Sequence, residues 1–181
     1  MLENSSYQRL TLSALHGLTR NGKLMKITFL LTGKTKKGFI DDGIKIYAER
    51  IKHYVPFSIV ELPDAKLPSK ASETVIKEKE GELIIKVLSP SDTVILLDER
   101  GKMMSSVEFS DFIQEKSVGS VKNLFFVAGG AYGFSKRIYD RANGMISLSK
   151  MTFSHQIVRV LFLEQLYRAF TIIRNEPYHH G

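Results

Sequence analysis

Residues 123–133 read NLFFVAGGAYG, an apolar run that passes directly into three glycines within five residues. A short apolar run bounded by a turn signal is typical of a strand buried on both faces. Glycine lets backbone N–H groups approach a ligand, and a helix that begins soon afterwards favours an anionic group. The spacing is neither the G-x-G-x-x-G of dinucleotide-binding domains nor a phosphate-binding P-loop. The pattern therefore predicts a buried strand that ends where a nucleotide-like ligand could bind.

Working outward from this strand, short apolar runs alternate with longer segments of helical periodicity from Met25 onward. We predict five strands, at residues 26–31, 57–62, 93–97, 123–128 and 145–148. We predict helices at residues 39–54, 72–88, 105–115, 135–142 and 155–174. Strands separated by helices indicate an α/β fold with a parallel sheet, in which ligands bind outside the carboxyl ends of the strands.

The composition limits the possible classes of function. The chain has 181 residues, a net charge of +7 and no cysteine, which excludes disulfides, thiolate nucleophiles and Cys-ligated zinc. No apolar run approaches the roughly 18 residues that a membrane span requires. The positive charge favours a polyanion such as nucleic acid as partner, although a basic protein without one has the same composition.

Residues 1–24 differ from the rest of the chain because they carry only one weak apolar stripe and precede a second methionine, Met25. We predict one domain over residues 25–181, with residues 1–24 as an N-terminal extension that is disordered or lies upstream of the true start. The alternative is an organellar transit peptide, since the segment contains Arg and Ser and is poor in acids.

Two further strand ends carry chemically useful side chains. The segment LDERGK, residues 97–102, places two carboxylates after a strand. They could serve as a general base or hold a ribose, or they could form a solvated turn with an ion pair between Glu99 and Arg100. The segment LSKMTFSH, residues 148–155, leads into the last helix, where Ser154 could cap the helix and His155 could be structural or contact a substrate.

The last helix is apolar around far more than the usual ~100° stripe. Because an exposed apolar face normally marks an interface, we predict a homodimer through this helix, with cover by residues 1–24 as the alternative. The tail PYHHG, residues 177–181, could be a substrate clamp or a frayed end, and its spacing predicts no metal site.

Several of these motifs occur together in one order: FVAGGAYG (126–133), LSKMTFSH (148–155), EQLYRA (164–169) and PYH (177–179). With KEKEGE (77–82) and GK (101–102), the set resembles the family of ribosomal RNA large subunit methyltransferase H, from Met25 to the C-terminus. The resemblance implies a SPOUT fold, α/β with a parallel sheet, a C-terminal trefoil knot and a knotted homodimer. It also implies methylation of N3 of a pseudouridine in 23S ribosomal RNA on assembled ribosomes, in the cytoplasm and with no membrane.

The resemblance also implies which residues form the site. The cofactor is S-adenosylmethionine, and no metal is required. The positions that carry over for cofactor binding are Leu97, Gly129, Leu148, Ser149, Lys150, Met151, Thr152 and Phe153. The catalytic residues are His155 and Tyr178, and the substrate-binding residues are Arg159 and His180. Some relatives carry Arg at the position of His180, so a charge-based role there is weaker or depends on pH.

Two other functions remain open from the sequence. One is a SPOUT methyltransferase that acts on tRNA, since the same fold and cofactor would serve. The other is a catalytically silent ribosome-binding module, which would not bind S-adenosylmethionine. For Arg168, an ion pair with Glu164 one turn earlier is as consistent with the spacing as a phosphate contact.

Overall fold

The computed structural model describes residues 25–178, so residues 1–24 and the predicted substrate residue His180 lie outside the described part. Its five strands are β1 (Lys26–Leu31), β2 (Phe57–Glu61), β3 (Thr93–Met103), β4 (Asn123–Ala128) and β5 (Gly144–Ser147). Its five helices are α1 (Phe39–Lys52), α2 (Glu73–Val87), α3 (Ser106–Val118), α4 (Lys136–Arg141) and α5 (Ile157–Ile173). The predicted α/β alternation is confirmed.

The strands form one sheet in the order β2-β1-β4-β3-β5, and every neighbouring pair is parallel. The central strands β1 and β4 are almost wholly buried, which explains their nearly continuous apolar sequence. Because all strands run the same way, their carboxyl ends meet at one edge of the sheet. The segments after β4 and β5 therefore come together there, beside residues 97–100 of β3, as the sequence predicts.

Helices cover both faces of the sheet. Helices α1, α3 and α5 pack on one face, and α2 and α4 pack on the other. The rings of Phe29 and Phe126 in the sheet lie 4.6 and 4.7 Å from the ring of Phe162 in α5. Truncation of a buried Phe typically costs about 3–5 kcal/mol, so this contact fixes α5 against the middle of the sheet.

Helix α5 lies between α1 and α3 on this face, and it contacts both. None of its side chains is exposed, and the large apolar side chains that are exposed all lie on other parts of the described chain. The predicted apolar face is therefore covered in part: α1 and α3 flank the helix, seven of its 17 side chains are buried and the others are half-buried. The homodimer stays a prediction.

Serine side chains begin two of the helices. Ser72 Oγ accepts a hydrogen bond from the amide of Val75 at the start of α2. Ser105 and Glu108 form a reciprocal capping box at the start of α3, with distances of 2.7 and 3.2 Å. Both serines stand one residue before the helix, at the cap position, because an N-cap residue is itself outside helical geometry.

Strand β3 is longer than predicted, since it runs to Met103. Leu97 and Lys102 both lie opposite Ile146 of β5, and the register shifts between them. A Cβ at Gly101 would lie 2.5 Å from the Ile146 nitrogen and 2.6 Å from the carbonyl carbon of Met145. The β3 extension therefore rests directly on the backbone of β5. A knot in this region would need two chain segments to pack this closely. The knot itself stays a prediction.

Substitution of Gly101 by Ala should destabilise the protein by about 1–3 kcal/mol, because backbone atoms cannot move aside for the new methyl group. The measurement is the midpoint of urea unfolding. The matched control is Gly144→Ala, where the added Cβ would meet only the Ile95 side chain, at 3.4 Å. Equal midpoints for the two variants would contradict the close crossing.

Candidate functional site

A cleft of about 600 Å³ opens at the carboxyl ends of β4 and β5, beside the middle of β3. Its walls come from residues 97–100, 128–134, 146–149 and 151–153, with His155 before the last helix. This volume lies within the roughly 300–1,000 Å³ that is usual for small-molecule sites. Three segments that are far apart in sequence thus form one site.

The predicted cofactor residues can now be placed individually. Those that line the cleft are Leu97, Gly129, Leu148, Ser149, Met151, Thr152 and Phe153, whereas Lys150 does not line it. Met151 is 73% exposed and Phe153 is 36% exposed, so these two side chains cover the cleft less than the sequence suggested. Leu97 is nearly buried and forms a firm apolar wall.

The glycine-rich turn after β4 requires glycine for reasons beyond ligand access. Gly133 has a φ of 78°, in the left-handed region. A Cβ at Gly130 would lie 2.5 Å from Oε1 of Glu80, whose carboxylate packs against the turn from α2. Burial raises the pKa of Glu80, and a hydrogen bond from the Gly130 backbone opposes that rise. Glycine is therefore required in this turn partly for packing, and not only for the approach of a ligand.

Asp98 stands at the wall of the cleft with its carboxylate already engaged. It accepts hydrogen bonds from the Tyr139 hydroxyl at 2.6 Å and from Arg100 Nε at 3.1 Å. Burial acts to raise its pKa, but the bonds from Arg100 and Tyr139 outweigh burial and hold the pKa below its ordinary value. An ionised, well-bonded carboxylate is a poor general base. Arg100 pairs with Asp98 at 3.1 Å, and not with Glu99 as one of the sequence alternatives had it.

His155 is half-buried at the rim of the cleft. Its pKa is lowered by burial and by the positive charges of Arg159 and Lys36. The imidazole is therefore neutral at neutral pH and can accept a proton. Ser154 Oγ accepts a hydrogen bond from the amide of Ile157 at 3.3 Å, which gives it the predicted capping contact although the helix begins later.

Arg159, predicted to contact substrate, is only 1% exposed. Its guanidinium donates hydrogen bonds to the carbonyl of Thr32 at 2.8 Å, to that of Gly33 at 3.3 Å and to Thr35 Oγ1 at 2.8 Å. Glu61 lies 4.0 Å away and partly balances the charge. This arrangement leaves Arg159 no exposed surface for a phosphate. Its role in the fold is to hold the loop after β1.

Tyr178 does not line the cleft: it follows α5 in the chain, and its side chain folds back along that helix. Its hydroxyl is 3.2 Å from Glu164 Oε1, its ring is 4.8 Å from the ring of Tyr167, and Arg168 stacks over it. Glu164 is the eighth of the 17 residues of α5, so Tyr178 packs beside the middle of the helix. One chain therefore does not place Tyr178 in the cleft that His155 lines.

Two other contacts bear on the sequence reading. Arg168 forms an ion pair with Glu164 at 2.5 Å, so the intramolecular alternative is confirmed. Lys77 of α2 lines the cleft, although sequence reasoning gave it no role. The motif that contains it, KEKEGE at residues 77–82, was the available signal.

Residues 25–178 contain no group of three or more His, Asp or Glu side chains arranged to hold a metal ion. The helices within the same range are too short or too polar to cross a membrane.

The chain is similar to known proteins over most of its length. A family model described as "Predicted SPOUT methyltransferase" matches residues 25–179. Proteins named ribosomal RNA large subunit methyltransferase H match over 156 residues, which is 86% of this chain and 99% of each relative. The identity is 51% for the protein from Parabacteroides distasonis and 53% for the one from Christiangramia forsetii.

Two solved structures share the fold at low sequence identity. A probable methyltransferase from Bordetella pertussis matches with a TM-score of 0.51 and 12% identity, covering 90% of this chain and 99% of the other. A tRNA methyltransferase from Aquifex aeolicus matches with a TM-score of 0.50 and 13% identity, covering 87% and 75%. Together with the matched family model and the close relatives, the parallel sheet and its strand-end cleft lead to one conclusion: this chain belongs to the SPOUT methyltransferase family.

Proposed function

We propose that this protein transfers a methyl group from S-adenosylmethionine to N3 of a pseudouridine in 23S ribosomal RNA, on assembled ribosomes. The observation that carries the proposal is the convergence of Leu97, Gly129 and the segment after β5 on one cleft, with His155 at its rim. The relatives that share about half of their residues with this chain carry the name of a large-subunit rRNA methyltransferase.

The residues of the cleft suit such a cofactor. Leu97, Ile146 and Leu148 supply apolar surface for an adenine ring, and Gly129 leaves the backbone accessible beside them. When bound, S-adenosylmethionine supplies a methyl group that its sulfonium already activates, so the protein needs no metal for this transfer. The remaining task of the protein is to orient the base in line with that methyl carbon and to remove a proton.

Proton transfer is assigned to His155. As N3 forms its bond to the methyl carbon, the carbon–sulfur bond breaks and N3 gives up its proton. A neutral imidazole at the rim of the cleft is available to take that proton, because burial and neighbouring positive charges disfavour its protonated form. Asp98 is less suitable because its oxygens already accept hydrogen bonds from Arg100 and Tyr139.

We also propose a knotted homodimer in which the tail of one chain reaches the cleft of the other. The support is that Tyr178 packs against Glu164 and Tyr167 of α5, outside the cleft that His155 lines. A two-fold pairing that sets the Tyr178 side of one chain against the cleft of the other would bring the two residues of different chains together. Sedimentation equilibrium should then give twice the chain mass of 20.5 kDa, and a stable monomer would contradict the pairing.

The substrate is tested by transfer of labelled methyl groups to ribosomes from a strain that lacks this protein. We expect about one methyl group per large subunit, located at N3 of a pseudouridine, with much less transfer to free 23S rRNA and none to tRNA. Labelling of tRNA would support the alternative substrate, and labelling of neither would support the silent module.

Replacement of His155 by Asn should lower kcat by about 10²–10³-fold, since general-base catalysis contributes effects of this size. In the unsubstituted enzyme, activity should rise with pH as His155 loses its proton. Because its pKa is lowered, the plateau should be reached before neutral pH.

The pH series on both enzymes provides the measurement, with the exposed His53→Asn as the matched control. The His155 variant should lose the acidic limb, keep its affinity for S-adenosylmethionine within about three-fold and unfold at the same temperature. A variant that keeps both kcat and the acidic limb would refute the assignment of His155.

A further inference from the structure

The loop after β1 carries three lysines that the proposed chemistry does not use. Lys34, Lys36 and Lys37, here called the lysine loop, are all exposed. None of their side chains forms a hydrogen bond or ion pair with another residue in the described range 25–178. Three unpaired ammonium groups within four residues form a local concentration of positive charge.

The backbone of the lysine loop is tied to the helix start that carries His155. Gln156 accepts a hydrogen bond from the amide of Lys36 at 3.0 Å and donates one to the carbonyl of Lys34 at 3.2 Å. Arg159 donates to Thr35 Oγ1 at 2.8 Å. Gln156 and Arg159 are both buried, so the loop is held by groups that cannot move independently of the helix.

The hydrogen bonds of Gln156 and Arg159 to the loop determine where its three lysines lie relative to the cleft. Gln156 follows His155 directly in the chain, and Lys36 is close enough for its charge to lower the pKa of His155. Because the backbone of the loop is already ordered, only the lysine side chains lose conformational freedom when an anion binds. The lysine loop is therefore a fixed cationic surface beside the candidate base.

Acidic residues near the loop do not cancel this charge. Glu61 accepts a hydrogen bond from the Thr35 amide at 3.2 Å and lies 4.0 Å from the buried guanidinium of Arg159, which balances it. Asp64 lies on the side of Gly33, where its Oδ1 would be 3.0 Å from an added Cβ. With the exposed Asp42 in the first turn of α1, two carboxylates thus remain against three lysines.

An exposed aromatic ring lies next to the lysine loop in the sequence. Phe39, two residues after Lys37, is the first residue of α1 and is 74% exposed. Exposed aromatic rings beside lysines are typical of surfaces on which single-stranded nucleic acid binds, because bases stack on the rings while phosphates contact the cations. This neighbour favours RNA over a small anion as the ligand.

We propose that the lysine loop binds the phosphates of the RNA strand next to the nucleotide that is presented to His155. This inference rests on the proposed function and assigns a substrate-binding surface to it. It also explains why Arg159 is buried: its hydrogen bonds order the phosphate-binding loop from the interior of the protein. Each phosphate contact should release counterions and make binding depend on salt concentration.

The test compares two triple variants with the same loss of charge. One is Lys34→Gln, Lys36→Gln and Lys37→Gln. The control is Lys26→Gln, Lys86→Gln and Lys122→Gln, whose exposed side chains lie at the first residue of β1, at the end of α2 and before β4, towards the opposite edge of the sheet. A third variant replaces the three loop lysines by Arg, which keeps the charge.

The full chain is measured against large ribosomal subunits from a strain that lacks this protein, at about 50–200 mM KCl. For the Gln variant of the lysine loop we expect about ten-fold weaker binding or more, and a salt slope that is smaller by about 2–3. The effect should fall on KM for ribosomes more than on kcat. Affinity for S-adenosylmethionine and the unfolding temperature should match the control, and the Arg variant should recover binding.

Two outcomes would overturn the inference in different ways. If the unsubstituted protein methylates ribosomes and the lysine-loop variant binds them as tightly as the control variant, the loop is not the phosphate-binding surface. If the unsubstituted protein neither binds nor methylates ribosomes, the proposed function fails, and the inference fails with it.

Discussion

The contact of the β3 extension with the backbone of β5 is the constraint on which the site depends. Gly101 lies directly on Met145 and Ile146, and no side chain larger than hydrogen fits between the two segments. This contact holds residues 97–100 and the segment after β5 as opposite walls of one cleft. The hydrophobic packing of Phe162 on Phe29 and Phe126 then fixes α5, and with it His155, against the same sheet.

Electrostatics give the polar groups of the cleft distinct roles. Asp98 is kept ionised and bonded, whereas His155 is kept neutral and free to accept a proton. The buried guanidinium of Arg159 donates hydrogen bonds to the loop after β1, and these bonds order the loop that carries three unpaired lysines. A small domain without a separate RNA-binding module can in this way combine a cofactor cleft, a base and a cationic surface at one edge of its sheet.

The apolar pattern was sufficient to predict all five strands, because each contains a short apolar run bounded by turn residues. It was not sufficient for the second half of β3, since residues 98–103 are mostly polar, and of these Lys102 and Met103 pair with β5. Sequence alone does not reveal that α1 and α3 flank α5, so the extent to which its apolar residues are covered could not be predicted. The burial of Arg159 could not be predicted for a similar reason: a buried cation that binds carbonyls has the same sequence signal as an exposed one that binds phosphate.

The central claim is that the cleft between the β3 extension and the segment after β5 binds S-adenosylmethionine. Isothermal titration calorimetry of the unsubstituted protein with this compound tests the claim most directly. The account predicts saturable binding with one molecule per chain, weakened when Leu97 in the cleft wall is replaced by a charged residue. The absence of binding heat, together with an unchanged unfolding temperature at high cofactor concentration, would contradict it.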